Sequence, residues 1–134
     1  MSMSDTTEIA ALAAFLQGTD PAYRSGATQY LALFTADPGE SASLANEATY
    51  TGYARVALTK ATAWTGAGNP FTNAALIQFD PCTAGSDALT HFAVVDTASG
   101  AVNMMISGAL GATLNVSSGI QPQFAGGTIS VSAT

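Results

Sequence analysis

The sequence ATQYLALFTADPGE, residues 27–40, followed by TGYARVALT, residues 51–59, decides the fold. Each segment contains a run of aromatic and aliphatic residues of the kind that favours strands. Asp-Pro-Gly at 37–39 is a turn signal, in which the Asp37 side chain accepts a backbone hydrogen bond. We therefore predict strands at 29–35 and 53–59. The polar, small-residue segment between them reads as a surface loop longer than most hairpin connections.

The rest of the chain continues this pattern. Short apolar or alternating segments bounded by Gly, Asn, Asp or Pro indicate strands. They occur at residues 74–79, 89–95, 101–109, 113–117, 120–124 and 128–134. Residues 96–100 are expected to close a tight hairpin turn. Roughly seven or eight short strands at this spacing predict a mainly β fold, an antiparallel two-sheet β-sandwich of jelly-roll-like type.

The N-terminal segment is expected to form a short α-helix. Asp5 followed by Glu8 resembles a capping box, and Gly18 with Pro21 indicates where the helix ends. Four apolar residues fall on one helical face. They are Ile9, Leu12, Phe15 and Leu16.

This apolar face allows two interpretations, which can hold together. It covers one end of the sandwich, or it contacts a neighbouring subunit. The whole chain is interpreted as a single domain, 1–134, with a helical appendage at 1–20.

Charge is scarce and mostly acidic. The chain has nine acidic and three basic residues, a net charge of −6, while 48% of its residues are hydrophobic. About a quarter of the residues in soluble domains are usually charged. The low charge of this surface is therefore more typical of an assembled subunit than of a free monomer. The acidic balance repels phosphate backbones, and we expect no nucleic-acid partner.

Neither a membrane nor a disulfide framework is expected. No apolar run approaches the roughly 18–20 residues of a membrane span. Acidic residues precede the N-terminal apolar stretch, which is a poor fit to a signal peptide. The single cysteine, Cys82, fits assembly in a reducing cytoplasm.

Catalytic chemistry is sparse in this sequence. His91 is the only histidine, and we interpret it as a structural residue at a sheet edge, hydrogen-bonded to a loop. Cys82 has no base or positive charge near it in sequence. The carboxylates lack the regular spacing of a calcium loop. We expect neither an enzyme nor a bound metal or cofactor, and a glycan depolymerase is the least favoured class.

Arg55 and Trp64 are two further candidate interface residues. Arg55 is expected to pair with a carboxylate such as Asp37 or to stack on an aromatic ring; a contact across a subunit boundary is the alternative. Trp64 belongs either to the core or to an interface, since aromatic residues are enriched at interface centres.

Several segments together resemble a family of small virion proteins of tailed bacteriophages. They are YLALFTADPGE at 30–40, YTGYAR at 50–55, Trp64, NAALIQF at 73–79 and THFAVVDTASG at 90–100. Members of that family are described as head decoration or as tail fibre proteins. The resemblance spans nearly the whole chain and implies a virion structural protein.

Two positions in the virion follow from this resemblance. The first is a capsid decoration or cement protein, which forms a homodimer or homotrimer and binds the major capsid protein. The alternative is a tail or fibre component or adaptor, which could contact host surface glycans.

Overall fold

The computed structural model describes residues 2–66 and 70–132. Within these residues, ten strands and three helices follow one another. In order they are β1 Ser2–Met3, α1 Asp5–Gln17, α2 Ala22–Ser25, β2 Thr28–Phe34, β3 Val56–Thr59, α3 Lys60–Ala63, β4 Trp64–Thr65, β5 Phe71–Asn73, β6 Ile77–Gln78, β7 Asp87–Val95, β8 Met104–Val116, β9 Gln123–Phe124 and β10 Ser130–Val131.

One layer is a five-stranded antiparallel sheet. Its strand order is β1-β8-β7-β2-β3, so the longest strands lie at its centre. In β2 the register pairs Leu33 with Phe92 and Leu31 with Val94 on β7. Apolar residues at alternate positions of both strands therefore lie side by side on one face.

The second layer consists of two smaller antiparallel sheets, β10-β5-β4 and β6-β9. Ile77, Phe79 and Ile129 from this layer are buried in the same core as Leu33 and Phe92 of the large sheet. The expected mainly β sandwich with antiparallel sheets and an N-terminal helix is thus confirmed, although its second layer is divided.

The opposite face of the large sheet is also buried. Phe34, Val95 and Met104 form a second apolar cluster there, with Ala42 and Leu44 packed against it. Those two residues belong to the segment between β2 and β3, which the sequence predicted to be a surface loop. That segment is irregular, as expected, but part of it packs on the sheet.

The helix α1 begins one residue earlier than the sequence suggested. Its N-cap is Ser4, whose hydroxyl accepts the Thr7 backbone N–H, while Asp5 lies in the first turn. The capping-box assignment to Asp5 is therefore wrong, because Ser4 already supplies the cap and Asp5 lies in the first turn, where a carboxylate interacts favourably with the helix dipole. The predicted end is confirmed: Gly18 has a left-handed φ of 69° and its N–H donates to the Ala13 carbonyl.

The observed strand boundaries differ most from the predicted ones in the C-terminal half of the chain. The predicted hairpin is confirmed as β7–β8, but the two strands expected at 101–109 and 113–117 form the single strand β8. The segment predicted as a strand at 74–79 contains only β6, and β5 precedes it. Of the strand expected at 128–134, β10 forms a part, and residues 133 and 134 lie outside the described residues.

Candidate interaction surface

Helix α1 is attached to the sandwich through its first turn. The hydroxyls of Ser4 and Thr7 both donate to the Met104 carbonyl at the start of β8. The Asp5 N–H donates to the Glu40 carbonyl, which adds a contact to the loop after β2. These bonds fix where the helix starts and leave its later turns to be held by packing.

The packing side of α1 is built from small residues. Ala10, Ala11 and Ala14 are half-buried, and no residue of the helix is fully buried. The four large apolar side chains of the helix instead face solvent. They are Ile9, Leu12, Phe15 and Leu16, exposed at 68%, 58%, 85% and 79%. We call these four residues the ridge.

The exposure of the ridge contradicts one of the two interpretations of this helical face. In the isolated chain its residues do not cover an end of the sandwich, so that expectation is wrong. The physical reason is the arrangement of the helix, which turns its alanines inward and its bulky residues outward. An exposed apolar surface of this kind is typical of an interaction site.

An apolar groove lies next to α1, with a volume of about 380 Å³. Residues from five separate segments line it. These five segments contribute Met3, Trp64, Phe71, Met105, Ile106 and Val131, while Gln29 of β2 and Val94 of β7 also contribute, and we call this groove, defined by the six residues named first, the trough. The helix borders it through Thr7. A second depression, between α1 and α2, adjoins the trough at Thr7 and Met105.

Of the two roles that the sequence left open for Trp64, the structure shows the core role, and the interface role stays a prediction. It is half-buried, packs against the main core, and lines the trough. Sequence reasoning missed the other residues of the trough. The apolar run at 104–106 is a visible signal, but nothing in the sequence indicates that Phe71 or Val131 lies beside it.

Arg55 lies away from this surface. Its side chain is only 4% exposed and forms a bidentate ion pair with Glu47, with Nε and Nη2 at 2.7 and 2.8 Å from the two carboxylate oxygens. It also donates to the carbonyls of Thr97 and Gly100, in the β7–β8 connection. The prediction that Arg55 pairs with a carboxylate is confirmed, but the carboxylate belongs to Glu47 and not to Asp37.

Asp37 has a different partner, as the turn motif predicted. Its carboxylate accepts the N–H of Gly39 at 2.9 Å, so it serves the turn after β2. Arg55 itself precedes β3 and does not lie in a strand.

Tyr53 completes the network around Glu47. Its hydroxyl donates to Glu47 at 2.7 Å and accepts the N–H of Leu33 at 3.2 Å, which joins the network to the centre of β2. Burial is the main cause that raises the pKa of Tyr53, and Glu47 raises it further. The hydrogen bond to Glu47 raises the pKa of Arg55. The network thus holds the guanidinium charged and the phenol neutral.

A second set of polar contacts joins two loops on the sandwich. The Asp87 carboxylate accepts the N–H groups of Thr49 and Tyr50 at 2.8 and 2.9 Å. The Tyr50 hydroxyl donates to the Asp80 carbonyl. Burial, followed by the nearby charge of Asp80, raises the pKa of Tyr50 to about 12. These contacts fasten the segment before β3 to the loop before β7.

The remaining candidates for chemistry have local partners. His91 lies in β7, between β8 and β2, so its expected position at a sheet edge is wrong; its Nδ1 lies 2.8 Å from the Thr90 hydroxyl. Cys82 is buried, and its thiol contacts the Ala84 carbonyl at 3.2 Å. Within residues 2–66 and 70–132, no group of three His, Cys, Asp or Glu residues could hold a metal ion.

A comparison with sequence models of known families identifies the family of this chain. The sequence model of the family described as "Podophage GP4 fiber I protein gp80" matches residues 2–132. The chain belongs to this family. The match supports a structural protein of a phage virion, as the resemblance implied. No curated protein matches the chain. In the described part of the chain, no helix is long and apolar enough to cross a membrane.

Proposed function

We propose that this protein is a non-enzymatic structural subunit of the fibre of a podophage particle. The observation that carries the proposal is the extent of the family match. It runs from residue 2 to residue 132, so it includes α1 and both layers of the sandwich. The match therefore concerns the whole fold, and a fibre role favours the tail over the capsid shell.

The polar groups of the described residues support a role without turnover. Buried ionisable groups such as Arg55 and Glu47 are paired with each other and with backbone carbonyls. An active site generally needs a nucleophile or a general base aimed into a pocket. The trough instead has an apolar lining, which suits binding.

Cryo-electron microscopy of the phage particle, with an antibody fragment raised against this protein as a marker, tests the proposal. We expect the marker on fibres at the tail vertex and nowhere on the capsid lattice. A copy at every capsid lattice position would overturn the fibre assignment and establish the decoration role, with the major capsid protein as partner. Absence from purified particles would contradict both assignments.

A further inference from the structure

We propose that the ridge of one chain packs into the trough of a second copy of the same chain. The contact would be reciprocal, because each copy carries both surfaces next to one another. A reciprocal contact of this kind closes into a two-fold homodimer. This inference does not depend on where in the particle the protein lies.

Area is the first argument for a second copy. The four ridge side chains expose roughly 500 Å² of apolar surface, which is in the upper part of the range for the largest apolar patch of a monomer, and such patches are often functional. A stable interface buries about 800 Å² per partner. About 60% of a stable interface is apolar, so the ridge and the trough together can supply the apolar part of such an interface, and polar surface around them would have to supply the rest.

Charge is the second argument. The chain has a net charge of −6, so two copies repel each other over most of their surfaces. From Ile9 to Thr19 the sequence contains no charged residue. The six residues that define the trough are also uncharged. The ridge and the trough themselves therefore place no like charges in contact, and the nearest acidic side chains of the helix, Asp5 and Glu8, lie one turn before Ile9 and Leu12.

One of the two surfaces projects and the other is recessed. Phe15 and Leu16 project from the last turns of α1 because the residues beneath the helix are alanines. The trough is open to solvent and is walled by Trp64, Phe71 and Met105. Burial of aromatic and aliphatic side chains in such a pocket is what anchors most protein interfaces.

Sedimentation equilibrium of the purified full-length chain is the first experiment. We expect the wild type to dimerise, and Phe15→Ser or Leu16→Ser to raise the dissociation constant by about 10- to 100-fold, since each removes one buried apolar side chain. Leu76→Ser is the matched control. Leu76 is 51% exposed and lies outside both the ridge and the trough, so this variant should associate like the wild type.

Disulfide trapping tests which surfaces meet. A Leu16→Cys chain mixed with a Phe71→Cys chain should form a mixed disulfide dimer under mild oxidation. A Leu76→Cys chain mixed with the same Phe71→Cys chain should not. The native Cys82 is buried and should not compete.

Three results would overturn the inference. The wild type could remain monomeric at all concentrations tested. The ridge variants could associate as tightly as the wild type. Finally, the ridge variants could weaken association while no mixed disulfide forms, which would show that the ridge packs against something other than the trough. A monomer that binds neutral phospholipid vesicles through Phe15 would likewise replace the second copy with a lipid surface.

Discussion

The ion pair of Arg55 and Glu47 is the residue-scale feature whose loss should cost most. Arg55 is nearly inaccessible, and four of its hydrogen bonds go to the carboxylate and to two carbonyls. Removing one charge from such a pair leaves the other buried without compensation. We expect Glu47→Gln to lower the free energy of unfolding by about 3 kcal/mol.

The second ion pair of the described chain provides the control. Arg24 and Asp20 are both more than half exposed. An exposed pair contributes only about 0–1 kcal/mol, so Asp20→Asn should change stability little. Urea denaturation of both variants measures the difference. Equal losses in the two variants would contradict the account of Glu47.

Gly52 is restricted by both its backbone and its surroundings. Its φ is 103°, and an added Cβ would lie 2.5 Å from the Pro81 carbonyl oxygen. We expect Gly52→Ala to destabilise the protein by about 2 kcal/mol or more, since strain and a backbone clash add. Gly39 has a φ of 71° and open space around it, so Gly39→Ala incurs only the strain. The thermal unfolding midpoint of Gly52→Ala should lie well below that of Gly39→Ala. The reverse order would contradict the close approach to Pro81.

Tyr50 makes stability depend on pH at the alkaline end. Its pKa is raised from 10.0 to about 12 in the folded protein, mainly by burial. A group whose pKa is higher when folded contributes its full stability below its unfolded pKa. That contribution is then lost as pH rises, here between about 10 and 12.

Urea unfolding midpoints measured at increasing pH should therefore fall through this window. Tyr50→Phe, which cannot ionise, should show a shallower decline although it loses the bond to Asp80. Phenolate absorbance in denaturant gives the unfolded reference titration. A midpoint that stays constant across the window would contradict the raised pKa.

At the scale of elements, helix α1 depends on one serine. The Ser4 hydroxyl caps the helix and donates to the Met104 carbonyl, and the residue is buried. Loss of a cap costs about 1 kcal/mol. We expect Ser4→Ala to lower stability by about that amount. The same substitution should also speed hydrogen exchange throughout residues 5–17.

Thr6→Ala is the matched control for this prediction. Thr6 lies in the same first turn and is exposed. Its loss should leave exchange in the helix near the wild-type rate. If both variants exchange alike, then Ser4 does not hold the helix in place.

Elements with strong local signals could be predicted from the sequence, whereas those set by contacts distant in sequence could not. The periodicity of Ile9 to Leu16 and the glycine at 18 predict α1 well. The sequence predicts two strands where the structure has the single strand β8, because Gly111 and its neighbours resemble a turn. Between its paired residues Ala109 and Leu114, β8 runs through five positions, while β7 runs through only two. The strand therefore continues through an irregular stretch. Pairing with β7 overrides the local preference.

The candidate surface divides in the same way. The ridge follows from helical spacing, so its members could be predicted, but not which side of the helix faces solvent. That depends on the alanines at 10, 11 and 14, which pack on the sandwich. The trough combines residues that are far apart in sequence, such as Met3, Phe71 and Val131. Alternation identifies the face of a strand but not what covers it.

At the scale of the whole molecule, stability and assembly place opposite demands on the surface. The core is closed on both faces of the large sheet, so the fold does not need the ridge for its own burial. An exposed apolar patch raises the risk of non-specific association. A net charge of −6 opposes that association everywhere except where charge is absent. If two copies associate as proposed, the uncharged ridge and trough are surfaces where this repulsion is weakest.

This balance predicts how salt affects self-association. Screening lengths fall from more than 10 Å to about 3 Å between roughly 0.05 and 1 M salt, which removes most of the repulsion between two acidic chains. The apolar contact itself does not depend on opposite charges. We therefore expect the dissociation constant of the wild type to fall several-fold as sodium chloride rises at neutral pH, measured by sedimentation equilibrium.

The control for this prediction is a measurement near the isoelectric point of about 4.1, where the net charge vanishes and salt should have little effect. Salt that weakens association at neutral pH would mean that opposite charges meet across the interface. With only three basic residues in the chain, and Arg55 buried against Glu47, such an interface would have to use Arg24 or Lys60. That outcome would move the contact from the trough to the depression between α1 and α2, which both of these residues line together with Phe15 of the ridge.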